Sequence, residues 1–317
     1  MALRYIIWVA LLLLLVRCKS GPTSEATITI ATLKGPSSMG LIKMIDSLSK
    51  DKDQVFNIEI LNEPIQVRKM VIDGTADFAI LPTNMAAILY NRGLEYKLLA
   101  IPVWGTLYLF GNDTTINTWN ELKGKRIHIM AKGMTPDILF RYLLQKNGID
   151  PNKDLTLDYR FPTHIDLANA VAAGQADLAV ISEPLVSLVM HRNKQVLPIF
   201  NLNEQWERFQ EGPIAQTALI GKRSLIKTNP KLVEEVLSNY LKSTQWVNQN
   251  PDSAAVLIVK HGILPNISVA KNAIPRSNLN FVKADTIIST IENYLWVFYQ
   301  INPDVIGGKL PDENFYN

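Results

Sequence analysis

The stretch GTADFAIL runs from Gly74 to Leu81, and GQADLAVI runs from Gly174 to Ile181. The copies lie one hundred residues apart, and the flanking sequence aligns without a gap: Pro36 with Pro136, Ile65 with Ile165, Asp77 with Asp177, Arg92 with Arg192. A repeat this long is not a short solenoid unit. It requires two similar lobes in one chain. Each copy reads as a helix ending at a glycine, whose left-handed C-cap is cheap. The Asp falls in the turn, where its side chain can bond local backbone. An apolar-Ala-apolar run follows, a strand buried on both faces.

The pattern around the copies alternates between strand-like and helix-like periods. TITIATL (Thr27–Leu33), VFNIEIL (Val55–Leu61), Asp77–Leu81 and KLLAIPVW (Lys97–Trp104) read as strands. Helical segments are expected over 37–49, 64–73 and 83–91. The same order recurs as RIHIMA (Arg126–Ala131), LTLDYRF (Leu155–Phe161) and Asp177–Ile181, with helices over 136–147, 163–173 and 183–192. Strands separated by helices argue for an α/β chain of two parallel or mixed sheets flanked by helices. Open sheets of this kind bind ligands at the carboxyl ends of their strands, so function is expected just past the twin strands. Those positions read LPTN in the first copy and ISEP in the second.

The N-terminus differs in kind. MALRYIIWVALLLLLVRC carries one positive charge, Arg4, ahead of an apolar run from Tyr5 to Val16. That run is short for a membrane span and fits the apolar region of a signal peptide over 1–18. Cys18 follows, the only cysteine, so an internal disulfide is excluded. LVRC resembles a bacterial lipobox, although Arg17 stands where a small residue is preferred. Lipidation of Cys18 is expected, with KSGPTSE (19–25) as a short tether. The 317 residues suit two lobes of ordinary size. A net charge of +3, without basic runs, gives no sign of a nucleic-acid partner.

Hydroxyl residues recur at the strand ends: Ser37, Ser38, Thr83, Thr135, Thr163 and Ser182. Each sits where a helix N-cap belongs, and Thr163 with Asp166 resembles a capping box. Several helix N-termini converging on one cleft would suit an anionic or polar ligand. Trp104 and Phe161 end strands and could grip a flat ligand or simply pack. The sequence holds no G-x-S-x-G elbow and no phosphate-binding loop. The four histidines lack metal-ligand spacing, and His164 alone follows a strand end. No metal and no cofactor are expected.

Together the lipobox-like start, the opening strand with LKGPSSMGLIKMI, the paired G-x-A-D-x-A strands, ISEP and the helical C-terminus resemble bacterial ABC-importer substrate-binding proteins of the nitrate/sulfonate/taurine type, a group that includes thiamine-pyrimidine binders. The resemblance covers nearly the whole chain. It implies a two-lobed type II periplasmic-binding fold with two crossings, a monomer that captures a small molecule and delivers it to a permease with its ATPase, and a lipid anchor in the membrane. Leu107–Thr115 is expected to leave the first lobe and Ile214–Gly221 to return to it. The first lobe would then be 26–111 plus 214–317, and the second 112–213. By the family pattern the pocket would draw on Ser37, Ser38, Met39, Thr83, Asn84, Trp104, Met134, Thr135, Phe161, Thr163, His164, Glu183 and Thr217, with Gly35, Gly105, Asp137 and Gln216 beside them.

Two other functions share such a fold. One is an enzyme, a pyrimidine synthase or a chorismate dehydratase. These are expected to lack a signal peptide, and the synthase carries a cysteine-rich motif, unlike this chain. The other is a ligand sensor for a membrane receptor, which the sequence does not separate from an importer component. Glu183 occupies in the second lobe the position of Thr83 in the first. A carboxylate there would repel a simple anion and favour a ligand with an N–H or amine group, unless it caps its own helix.

Overall fold

The computed structural model describes residues 27–49, 56–113, 115–130 and 132–316. The apolar N-terminal segment, Cys18 and the tether lie outside them. The strands are β1 (Ile28–Leu33), β2 (Phe56–Leu61), β3 (Phe78–Pro82), β4 (Tyr96–Val103), β5 (Leu107–Gly111), β6 (Arg126–Ile129), β7 (Thr156–Asp158), β8 (Leu178–Ser182), β9 (Leu197–Asn201), β10 (Thr217–Lys222) and β11 (Leu279–Lys283). They form a 6-stranded sheet in the order β11-β4-β10-β3-β1-β2 and a 5-stranded sheet in the order β7-β6-β8-β5-β9.

The two sheets share one plan. In each, three strands from one repeat lie parallel or are joined by helices: β2-β1-β3 and β7-β6-β8. In each, an antiparallel strand from another part of the chain is then inserted, β10 in the first sheet and β5 in the second. The inserted strands match each other as well. TALIGK (Thr217–Lys222) sets Gly221 against Phe78, and LYLFG with Asn112 sets Gly111 against Leu178. Gly111 is required by close approach: a Cβ there would stand 2.0 Å from the Asp177 carbonyl oxygen.

This corrects the expected lobe boundary. Leu107–Gly111, expected in the first lobe, is hydrogen-bonded between β8 and β9 in the second sheet. The first crossing is therefore the short segment Trp104–Thr106, between β4 and β5. The hundred-residue offset also slips locally. Ile28 pairs with Phe56, but Arg126 rather than His128 pairs with Thr156.

The twin motif builds the predicted ends. Gly74 and Gly174 have φ of 69° and 71°. Gly74 and Thr75 donate to the carbonyls of Val71 and Met70, and Gly174 and Gln175 to those of Val171 and Ala170, two Schellman motifs. The Asp does more than close a turn. Asp77 accepts from Thr29 N at 2.9 Å and from Lys222 Nζ at 2.9 Å, stapling β1 and β10 to its own strand. Asp177 accepts from Asn112 Nδ2 at 3.2 Å, at the end of the inserted strand of its sheet.

The helix expected over 37–49 is split into Pro36–Gly40 and Ile42–Leu48. Ser243 explains the break. Its hydroxyl donates to Gly40 O at 2.7 Å and accepts from Lys43 N at 3.1 Å, inserting into the helical ladder. The lobes also share core. An aromatic series Tyr142–Trp206–Tyr294–Phe298 has centroid separations of 5.3, 6.0 and 4.7 Å. It carries packing from the helix Thr135–Lys146 of the second lobe to the C-terminal helix Ile288–Ile301. Among the described residues no helix is long and apolar enough to cross a membrane.

Candidate functional site

The helices that follow the parallel strands begin where the two lobes meet. Three contacts join the lobes there. Thr135 Oγ1 donates to Asn84 Oδ1 at 3.0 Å. Gly35 lies against Pro184, so that an added Cβ would be 3.5 Å from its Cδ. Arg276 NH1 donates to Ser187 Oγ at 3.3 Å. Beneath them Leu188 of the second lobe packs in an apolar cluster with Met39, Ile42 and Val103 of the first.

The hydroxyls expected to cap helices divide into two groups. Thr163 does cap: its Oγ1 accepts from Asp166 N at 3.1 Å and donates to Asp166 Oδ2 at 2.7 Å. Ser38 closes its own turn, accepting from Gly35 N at 3.1 Å and donating to Gly35 O at 3.0 Å. Thr83 and Thr135 do not cap. Each is the first helical residue, preceded by Pro82 and Met134. Thr135 spends its hydroxyl on Asn84 in the other lobe. Thr83 is wholly buried, and its Oγ1 has no partner among the described residues. Thr32, at the end of β1, is buried with its hydroxyl unpaired in the same way. A buried hydroxyl without a partner costs about 1–3 kcal/mol. Two of them lie at the strand ends of one lobe, left unsatisfied by the described residues. Tyr294 is buried beside Thr135, and its hydroxyl does not meet Thr135 in hydrogen-bond geometry.

The remaining expected positions have other uses. Met39 is packed in the apolar cluster just described. Trp104 donates its indole N–H to Asn280 O at 2.7 Å and its backbone N–H to Asn278 O at 3.2 Å, so it anchors the first crossing to β11. Gly105 admits Asn203, whose Oδ1 would lie 2.4 Å from a Cβ at that position. Asp137 accepts from Gly133 N, Arg141 Nε and Tyr159 OH at 2.7, 2.7 and 2.6 Å, a closed network within its own lobe. Met134 is exposed. Phe161 packs on His128 at 5.5 Å and lines a surface depression with Pro162, Asp166 and Asn169. His164 opens the next helix with Nδ1 buried and unpaired, and burial pushes its imidazole down to about 4. Ser37 is buried beside Ser38, its carbonyl accepting from Tyr240 OH at 3.0 Å. Thr217, also buried, begins β10 opposite Pro82.

Glu183 is turned inward. Its carboxylate accepts from Ser187 N at 3.1 Å through Oε2 and from Ser187 Oγ at 2.9 Å through Oε1. Arg276 NH1 lies 3.9 Å from Oε1, and the Glu183 side chain is 0% exposed. Burial pushes the carboxyl up to about 7, against the pull of Ser187 and Arg276. Sequence reasoning missed three partners here. Ser187, one helical turn after Glu183, was findable from that spacing. Arg276 and Thr106 come from distant segments, and no local pattern points to them.

The two sheets, each with an inserted antiparallel strand, and the cleft between them define a two-lobed α/β protein of the periplasmic-binding type. The chain belongs to the NMT1/THI5-like family, whose model matches residues 52–254. Among solved structures it is similar to an ABC transporter protein of Parabacteroides distasonis, at 25% identity and a TM-score of 0.80 over 92% of this chain and 99% of that one. The periplasmic aliphatic sulphonate binding protein SsuA of Escherichia coli shares the fold at 16% identity and a TM-score of 0.72, over 90% and 92% of the two chains. The periplasmic nitrate-binding protein NrtA of Synechocystis PCC 6803 shares it at 15% identity and a TM-score of 0.62, over 89% and 84%. A Bacillus subtilis (strain 168) relative named as a binding protein, YtlA, is 27% identical over 146 residues, 46% of this chain. That match spans 42% of the relative's own length.

Proposed function

We propose that the chain is the extracytoplasmic solute-binding component of an ABC importer. It captures a small polar ligand between its lobes and delivers it to a permease and its ATPase. The observation that carries this reading is the buried, unpaired Thr83 hydroxyl beside Asn84, whose side-chain oxygen is already bonded across the cleft to Thr135. Polar groups of both lobes thus meet where the lobes come together, the place at which a hinged protein would enclose a solute. The solved neighbours named as transport and binding proteins support the same role, and a non-enzymatic one.

The ligand class follows from the charge at the cleft. Glu183 caps the start of its own helix through Ser187, and in its ionised form its buried carboxylate still disfavours a simple anion at the lobe boundary, whereas hydroxyls and an amide accept and donate equally well. A zwitterion or an aminopyrimidine-like molecule fits these groups. On this reading the protein is exported and held at the cell envelope by a lipid on Cys18, acting as a monomer. The test is thermal unfolding against a panel of zwitterions, aminopyrimidines, nitrate and sulfate. A ligand at a hundred times its dissociation constant stabilises by about 2.7 kcal/mol. Stabilisation by an N–H-bearing compound supports the reading, and stabilisation by the anions alone overturns the ligand class.

A further inference from the structure

The C-terminal helix Ile288–Ile301 has two differently used sides. Ile291, Tyr294, Leu295 and Phe298 are buried, and Tyr294 lies beside Thr135 at the lobe boundary. Glu292 and Trp296 flank Tyr294 two residues away in each direction, which turns both about 160° around the helix from it. They stand one turn apart on the outer face, and Trp296 is 47% exposed, a large aromatic ring left in water. The chain returns past this face. Leu310, Pro311 and Tyr316 form the opposite wall of a cavity of about 440 Å³ that Glu292, Asn293 and Trp296 line from the helix. Sites for small molecules are typically ~300–1,000 Å³. The returning wall is fixed to the sheet, because Tyr316 bridges to Leu98 of β4 and its carbonyl accepts from Lys97 Nζ at 3.0 Å. The Trp296 ring is steadied by stacking on Tyr299, with centroids 5.6 Å apart.

The polar groups of this cavity are left over from folding. Tyr316 is 5% exposed, yet its hydroxyl has no partner among the described residues. Burial and then the Glu292 carboxylate push that hydroxyl up, so it stays protonated and lies within reach of the charge of Glu292. Glu292 is the only charged residue lining the cavity. It takes part in no ion pair among the described residues. An ammonium group suits all three neighbours: the carboxylate balances its charge, the hydroxyl accepts an N–H, and the negative face of an indole attracts a cation. We propose that this cavity is a second binding site, separate from the cleft, for a small organic ammonium ion whose charge rests at Glu292 and Tyr316 and whose apolar body lies against Trp296, Leu310 and Pro311. An organic anion of the same size finds no basic residue in the lining and meets Glu292 instead. The inference goes beyond the solute-binding reading and does not depend on it, since no residue expected in the cleft lines this cavity.

The test is a calorimetric titration with three probes of one shape: 2-phenylethylammonium, the neutral 2-phenylethanol and the anion phenylacetate. It compares the wild-type chain with Glu292→Gln, Trp296→Ala and Tyr316→Phe, and with the cleft variant Thr83→Val, Asn84→Leu. The wild-type chain is expected to bind the cation at one site, about tenfold or more tightly than either other probe, the gain of a charge-assisted contact. Glu292→Gln and Trp296→Ala change exposed side chains and are each expected to weaken the cation about fivefold or more. Tyr316→Phe keeps the buried ring and is expected to weaken it less. The cleft variant is expected to bind the cation as wild type does. No binding of the cation to the wild-type chain overturns the proposal, and so does equal affinity for the cation and the anion. A loss confined to the cleft variant, with Glu292→Gln and Trp296→Ala unchanged, also overturns it and assigns the cation to the cleft. Failure of the solute-binding reading would appear elsewhere, as the absence of any ligand carried by the purified wild-type protein.

Discussion

Thr106 and Gln216 hydrogen-bond each other twice: Thr106 N donates to Gln216 Oε1 at 2.8 Å, and Gln216 Nε2 donates to Thr106 Oγ1 at 2.8 Å. Each stands on one of the two segments that join the lobes. Their carbonyls are used symmetrically as well. Gln216 O accepts from Thr83 N at 3.1 Å, and Thr106 O accepts from Glu183 N at 3.0 Å. The residues after the twin strands of the repeat are thus tied to the two crossings, and the crossings to each other. Anything that moves the lobes about this clasp shifts Thr83 and Glu183 together.

Gln216→Leu removes both side-chain bonds and leaves the buried Thr106 N–H and hydroxyl unsatisfied. The expected loss is about 1–3 kcal/mol in urea unfolding. An unchanged midpoint would show that the clasp contributes nothing to the closed form.

Two glycines should respond differently to the same change. Gly111→Ala puts a methyl group 2.0 Å from the Asp177 carbonyl, with Leu178 Cδ2 at 2.9 Å, and is expected to prevent folding to a soluble product. Gly174→Ala meets nothing within 4 Å and suffers only its φ of 71°, at a cost of about 1–2 kcal/mol. Similar unfolding midpoints for the two variants would contradict the packing assigned to Gly111.

Glu183 gives a pH signature. Its carboxyl is raised from 4.5 to about 7 by burial. Between those values the folded chain holds a proton that the unfolded chain has released. This contribution to stability is full below 4.5 and falls as pH rises to 7, by up to about 1.4 kcal/mol per unit. His164, lowered to about 4, acts in the opposite sense between about 4 and 6.5 but is present in both proteins, so it cancels in a comparison. The stability of Glu183→Gln relative to wild type should therefore increase with pH across this window. A constant difference would mean that the carboxyl titrates normally.

The architecture was legible where the signal was local. Gly74 and Gly174, with their buried strands, identified the doubled lobe, because a Schellman turn and a two-sided apolar run leave marks within eight residues. The insertion of Leu107–Gly111 into the second sheet was not legible. An apolar strand reads the same whichever sheet accepts it, and the choice was made by pairing with β8 and β9. Thr163 caps its helix as its local pattern indicates, whereas the helices at Thr83 and Thr135 start one residue earlier, with Pro82 and Met134 at the cap. Arg276 left no trace in the pattern, since its approach to Glu183 depends on the whole C-terminal half folding back over the first lobe.

Anchoring tests the N-terminal reading. Cys18→Ser should release the protein from the membrane fraction while leaving ligand binding intact. Equal membrane fractions for the two proteins would contradict lipidation.

The central claim, that Thr83 and Asn84 help enclose a small solute between the lobes, is tested most directly by native mass spectrometry of the freshly purified wild-type protein and of the double variant Thr83→Val, Asn84→Leu. The account predicts one small-molecule adduct per wild-type chain, lost on denaturation and absent from the folded variant. An adduct of the same mass and occupancy on both proteins, or none on either, would contradict it.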